Sequence, residues 1–122
     1  MTANKPLLAV VGNCASGKTT LVNSLNEAGY RAVNIPQEHS EIKRLWKYKK
    51  PNLLVLLSCT LETAQKRRPG FAWTEKQLEV QRERLNIARD ECNLYLVTDN
   101  LGRKEVLSRV IDLLEREDVS HD

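Results

Sequence analysis

With 122 residues, 41% of them apolar and 29% charged, the chain has room for one hydrophobic core but not two, so a single domain over 1–122 is expected. A net charge of +3 suits a protein that handles anions without arguing for nucleic acid, and no apolar run approaches the roughly 20 residues that cross a bilayer. Cys14, Cys59 and Cys92 are odd in number, widely spaced and without paired metal-ligand spacing, which speaks against a disulfide framework and for reduced thiols in a cytoplasm.

The opening MTANKPLLAVVGN runs a short apolar stretch straight into a glycine-rich motif, so it reads as a first strand and not as a secretion signal. LLAVV (7–11) is wholly apolar, as a strand buried on both faces should be. Residues 18–28 form a helix with Leu21, Val22 and Leu25 on one side and Gly29 placed to end it. YRAVNI (30–35) is a second strand, stopped by Pro36, and 39–49 is expected as a short polar helix with Ile42, Leu45 and Trp46 at helical spacing.

NLLVLLSC (52–59) is the most apolar strand and therefore a central one. Thr60 begins a short helix that Pro69 and Gly70 terminate. Thr74 and Gln77 have capping-box spacing, and Trp73 with Leu78 that of a hydrophobic staple. The helix they open is expected to run to about Cys92, burying Leu78, Leu85, Ala88 and Cys92. NLYLVT (93–98) is a fourth strand, and a last helix over about 103–116 carries Val106, Leu107, Val110, Ile111 and Leu114 on one face. This alternation predicts an α/β domain, a three-layer sandwich whose four-stranded parallel sheet has the order 2-1-3-4 with helices on both faces; G-x-x-x-x-G-K-[ST] at 12–19, between the first strand and the first helix, makes the P-loop NTPase type the expected one.

GNCASGKTT (12–20) carries the chemistry. Gly12, Gly17, Lys18 and Thr19 match G-x-x-x-x-G-K-[ST] between an apolar strand and a helix, the context the motif requires. Two glycines let the chain curl so that the N–H groups of Asn13, Cys14, Ala15, Ser16, Gly17, Lys18, Thr19 and Thr20 face a phosphate, helped by the partial positive charge of the helix N-terminus. Lys18 can reach the β- and γ-phosphates and the Thr19 hydroxyl can coordinate Mg²⁺, so ATP or GTP with Mg²⁺ is the expected ligand. On this reading Lys18 acts on the ligand and not on the core.

Downstream, KPNLLVLLSCTLETAQKRR resembles the segment of thymidylate kinases and related nucleoside monophosphate kinases in which an apolar strand leads to a short helix bearing the first lid arginine. EKQLEVQRERLNIARDECNLYLVTDNLGRKEVLSRVIDLL resembles their lid helix, last strand and final helix. The resemblance covers the loop and most of 51–114 and implies a reduced P-loop kinase without the acceptor-binding subdomain, since only about fifteen residues (36–50) separate strands two and three. It implies that Arg67 or Arg68 stacks on the base or neutralises phosphate charge, and that the turn bearing Asp99 and Asn100 touches the base. Strand three ends in Ser58 and Cys59 where an acidic residue would help hold magnesium, and the guanine-reading N-K-x-D sequence of small GTPases is absent.

In a parallel sheet, ligands gather at the C-terminal ends of the strands, which brings 12–19, 36–40, 58–60 and 98–100 around one crevice. Glu38 then becomes the candidate to hold a magnesium-bound water or take a proton from an acceptor hydroxyl, a position where deoxynucleoside kinases similarly carry a glutamate. Of Arg82, Arg84 and Arg89, Arg82 or Arg89 is expected to be the one that approaches the phosphates. KRLWKYKK (43–50) interleaves aromatics with lysines, but inward packing of Trp46 with solvated lysines is the simpler reading. The expected activity is phosphoryl transfer from a nucleoside triphosphate to a small acceptor. The alternatives are a slow NTPase or nucleotide-binding regulatory module and, less favoured, a polynucleotide 5'-end kinase; no membrane partner is expected.

Overall fold

Three consecutive crossover connections, two of them helical and one built on 3₁₀ turns, place every strand in the same direction. The computed structural model describes residues 5–70 and 74–120. In chain order they form β1 (Leu7–Gly12), α1 (Lys18–Glu27), β2 (Arg31–Asn34), two 3₁₀ turns at Gln37–His39 and Leu45–Lys49, β3 (Leu53–Ser58), α2 (Leu61–Arg67), α3 (Glu75–Arg84), α4 (Asn86–Glu91), β4 (Leu94–Val97) and α5 (Arg103–Ser120). The four strands make one sheet in the order β2-β1-β3-β4, all pairs parallel. The fold is therefore α/β with the expected strand order.

Strands β1 and β3 are central because both of their faces are covered. Leu8 and Val10 of β1, with Leu53, Val55 and Leu57 of β3, meet Leu21, Val22 and Leu25 of α1 and Val106, Val110, Leu113 and Leu114 of α5. Ala9, Val11, Leu54 and Leu56 point the other way, toward Trp46, Leu85 and Ala88. Burying side chains of this size stabilises by about 1.5–3 kcal/mol each, which is why the central strands can consist almost entirely of Leu and Val. β4 is half-covered: Leu96 is buried, while Tyr95 and Val97 are exposed. Among the described residues no helix is long and apolar enough to cross a membrane.

Local signals behave as their chemistry requires. α1 closes in a Schellman motif, with Tyr30 N donating to Leu25 O, Gly29 N donating to Asn26 O, and Gly29 at φ 92°. The capping box is formed, Thr74 Oγ1 accepting from Gln77 N at 3.2 Å and Gln77 Oε1 accepting from Thr74 N at 3.0 Å; Trp73, its staple partner, lies outside the described residues.

Three expectations need correction. The helix over 39–49 does not form: Ile42 is exposed and only Trp46 buries, because the Gln37 side chain fixes the segment by donating to Ile42 O (2.7 Å) and accepting from Leu45 N (2.9 Å). The helix over 74–92 is interrupted at Leu85, whose N–H is shared between Gln81 O and Arg82 O, and it resumes as α4. Cys92, just past the end of α4, is only half-buried.

Candidate functional site

The loop between β1 and α1 curls because of two glycines and one strained alanine. A Cβ at Gly12 would stand 2.3 Å from Leu57 O and 2.7 Å from Ser16 Oγ, so no larger residue fits. Ala15 (φ 64°) and Gly17 (φ 103°) both sit in the left-handed region and turn the chain back on itself. Ser16 N donates to Asn13 O and Leu21 N to Gly17 O, and Gln81 takes Cys14 N, leaving the N–H groups of Ala15, Gly17, Lys18, Thr19 and Thr20 without an acceptor among the described residues. A row of unpaired donors at a helix N-terminus is an anion cradle.

The loop's own Asn13 and side chains from three other elements clamp this curl. Asn13 Oδ1 accepts from Cys59 N (2.9 Å) and its amide donates to Cys59 O (3.2 Å), tying the loop to the end of β3. Arg67 Nη1 donates to Ala15 O (2.8 Å) and to Thr98 Oγ1 (3.0 Å), while Nη2 reaches Thr98 O at 2.5 Å. Thr98 in turn donates to Ser16 O at 3.0 Å. From α3, Gln81 Oε1 accepts from Cys14 N (2.9 Å) and Nε2 donates to Cys14 Sγ (3.2 Å).

Lys18 is only 9% exposed, and its ammonium forms a buried ion pair with the Glu38 carboxylate while donating to Gly12 O at 2.6 Å. Glu38, delivered by the 3₁₀ turn after β2, is 3% exposed, and its second oxygen, Oε1, has no partner. Arg84 Nη1 donates to the Glu38 carbonyl at 3.2 Å. His39 stands at the surface with Nε2 3.7 Å from the Glu38 carboxylate and 3.5 Å from Cys14 Sγ. Thr19 is exposed, its hydroxyl accepting from Asn34 Nδ2 at 3.3 Å.

These groups share one crevice of about 770 Å³, within the usual range for a small-molecule site. Its wall includes 13–20, Glu38, Arg67, Arg68 and Thr98, with Leu101, Gly102 and Arg103 closing the far side. Asp99 and Asn100 are not in the wall. The Asp99 carboxylate faces α2, accepting from Thr60 N (3.2 Å), Thr60 Oγ1 (2.5 Å) and Thr63 Oγ1 (2.6 Å). Burial pushes its pKa up, but these hydrogen bonds outweigh that and hold it below the usual aspartate value. Cys59 is sealed under the loop, and burial raises its thiol above the ordinary range despite the Asn13 hydrogen bond.

Of the three arginines on α3 and α4, the one that approaches the site is Arg84. Arg82 pairs with Glu75 at 2.8 Å and Arg89 lies over the Tyr95 ring, so the expectation for those two is corrected. In 43–50, Trp46 is buried, and Arg44 and Lys47 engage Glu91. Gln81 escaped the sequence reading although a signal existed: it interrupts the buried stripe Leu78, Leu85, Ala88 with an amide, and an amide on an apolar stripe needs a polar partner. Asn13 and Thr98 had no such mark.

A scan against models of known protein families matches none, and a search among curated proteins returns no match.

Proposed function

We propose that the chain binds a nucleoside triphosphate with its phosphates in the 12–19 loop, in the manner of a P-loop protein, and transfers a phosphoryl group to a small acceptor as a reduced relative of the nucleotide kinases. The observation that carries this reading is the set of unpaired N–H groups at 15 and 17–20 curled beside a buried lysine. Neither an apolar ligand nor a cation would use them. A polyphosphate would, and Lys18 could exchange Glu38 for phosphate oxygens without leaving the crevice.

The residues also fit a magnesium ion. Thr19 offers a hydroxyl oxygen at the crevice mouth, and Glu38 brings a carboxylate with one unpartnered oxygen. Bound with the nucleotide, Mg²⁺ would offset charge between the phosphates. Glu38 is then the group able to take the acceptor proton, since Asp99 is engaged by Thr60 and Thr63. Arg67 braces the loop through Ala15 O, and Arg68 lines the same crevice as the candidate for a base or phosphate.

A second reading, a nucleotide-binding module without an acceptor, is favoured by one feature: β3 ends at Ser58 with Cys59 next, neither of them a carboxylate, and the Cys59 backbone is consumed by Asn13. Incubation with γ-labelled ATP or GTP, Mg²⁺ and a panel of nucleosides, nucleotides and oligonucleotides separates the two. Label on an acceptor supports transfer; free phosphate alone, or retained nucleotide alone, supports the module.

A further inference from the structure

We propose that Cys14, Glu38 and His39 form a binding site for a soft divalent cation of the zinc class at the edge of the crevice. The residues come from two separate segments, the β1–α1 loop and the turn after β2, so no ligand spacing in the sequence announces them. Among the described residues they are the one group of three His, Cys, Asp or Glu side chains with converging ligand atoms, all within 4.8 Å of one another.

Two of the three donor separations are close to those of a coordination polyhedron. Bonds of about 2.3 Å to sulfur and about 2.0–2.1 Å to nitrogen or oxygen put the donors of a tetrahedral ion about 3.4–3.6 Å apart. Here Cys14 Sγ to His39 Nε2 is 3.5 Å, and His39 Nε2 to Glu38 Oε2, the oxygen that also pairs with Lys18, is 3.7 Å. The second observation is independent of that convergence. Glu38 is 3% exposed with Oε1 unpartnered, and a buried carboxylate oxygen left without a donor or cation is costly.

Supporting contacts are in place as well. Gln81 Nε2 donates to Cys14 Sγ at 3.2 Å, and the Lys18 ammonium holds the other Glu38 oxygen. Such outer contacts orient metal ligands and tune their affinity. Thiolate and imidazole select zinc-like ions over Mg²⁺ or Ca²⁺, so this site differs from the magnesium position by Cys14 and His39 in place of Thr19 and competes with it for Glu38. Three protein ligands leave a fourth position open to the crevice for an oxygen ligand. The inference requires no nucleotide, although an ion that occupies Glu38 would withhold it from an acceptor and so inhibit transfer.

The test uses the full chain and Co²⁺ alone as an optical probe, with Zn²⁺ as competitor. One Co²⁺ per chain should give a thiolate-to-cobalt charge-transfer band that Zn²⁺ abolishes. Cys14→Ser should lose the band while circular dichroism shows it still folded, and Cys92→Ser should keep it. His39→Ala should weaken binding at least about tenfold, since loss of a mere outer contact already costs that much. The proposal is overturned by a wild type with no saturable band, by a band that survives Cys14→Ser or disappears in Cys92→Ser, or by unchanged affinity in His39→Ala.

Discussion

The buried pair of Lys18 and Glu38 predicts a specific stability pattern. Lys18→Met removes the ammonium and leaves a carboxylate that is 3% exposed, with Oε1 unpartnered and Oε2 left to His39 Nε2 at 3.7 Å. Breaking a buried pair from one side costs about 3–5 kcal/mol, against a total stability of about 5–15 kcal/mol for a domain. For a chain of 122 residues that corresponds to a fall in Tm of roughly 12–20 °C. Glu38→Gln should cost less, because the neutral amide still accepts from Lys18 and the ammonium keeps its bond to Gly12 O. The double variant Lys18→Met/Glu38→Gln removes both charges and should recover most of what Lys18→Met lost, giving a favourable coupling of about 2 kcal/mol or more in a double-mutant cycle. Urea unfolding of the four proteins, with equal m-values, measures this. A Lys18→Met midpoint equal to wild type, or additive losses in the double variant, would refute the pairing as a structural element. The sequence expectation that Lys18 serves only a ligand would then stand.

Three other outcomes follow from the same geometry. Gly12→Ala forces a Cβ to within 2.3 Å of the Leu57 carbonyl of the neighbouring central strand, so it should destabilise by about 1–3 kcal/mol or more, and a thermal melt at wild-type Tm would contradict the close approach. Asp99 has a folded-state pKa below its unfolded value, so its contribution is present above the unfolded pKa near 4 and lost as pH falls through the lower folded one. Asp99→Asn should therefore flatten the decline of the urea midpoint between about pH 5 and pH 2, whereas parallel declines would remove Asp99 from the acid response. Arg67→Ala deletes three hydrogen bonds that join the loop to β4's end, so protection of the fold by added triphosphate should shrink, and undiminished protection would show that the loop holds its curl without Arg67.

The sheet was legible because its signals are local and strong. An all-apolar LLAVV and NLLVLLSC can only be covered strands, and right-handed crossovers then leave few strand orders. The two segments misread were those governed by side chains acting at a distance. Ile42, Leu45 and Trp46 have helical spacing, yet Gln37 claims the backbone of Ile42 and Leu45 and holds 3₁₀ turns instead. Leu85 ends α3 with no Gly or Pro to announce it. At the site, the loop and the position of Glu38 could be derived from strand ends. The clamp of Asn13, Gln81 and Thr98 could not, because hydrogen bonds spanning 46, 67 and 82 residues leave no periodic trace. Arg84 donates to the Glu38 carbonyl, while Arg82 is paired with Glu75 on its own helix and Arg89 lies over Tyr95, partners that no periodicity announces.

The central claim is that the unpaired amides of the 12–19 loop bind a polyphosphate. The most direct measurement is a two-dimensional amide NMR titration of the ¹⁵N-labelled chain with a non-hydrolysable nucleoside triphosphate and Mg²⁺. The account predicts saturable shifts largest at Ala15, Gly17, Lys18, Thr19 and Thr20, with smaller ones at Glu38 as Lys18 exchanges partners. Saturable binding whose shifts cluster away from these amides, or no shifts at all at millimolar nucleotide, would contradict it.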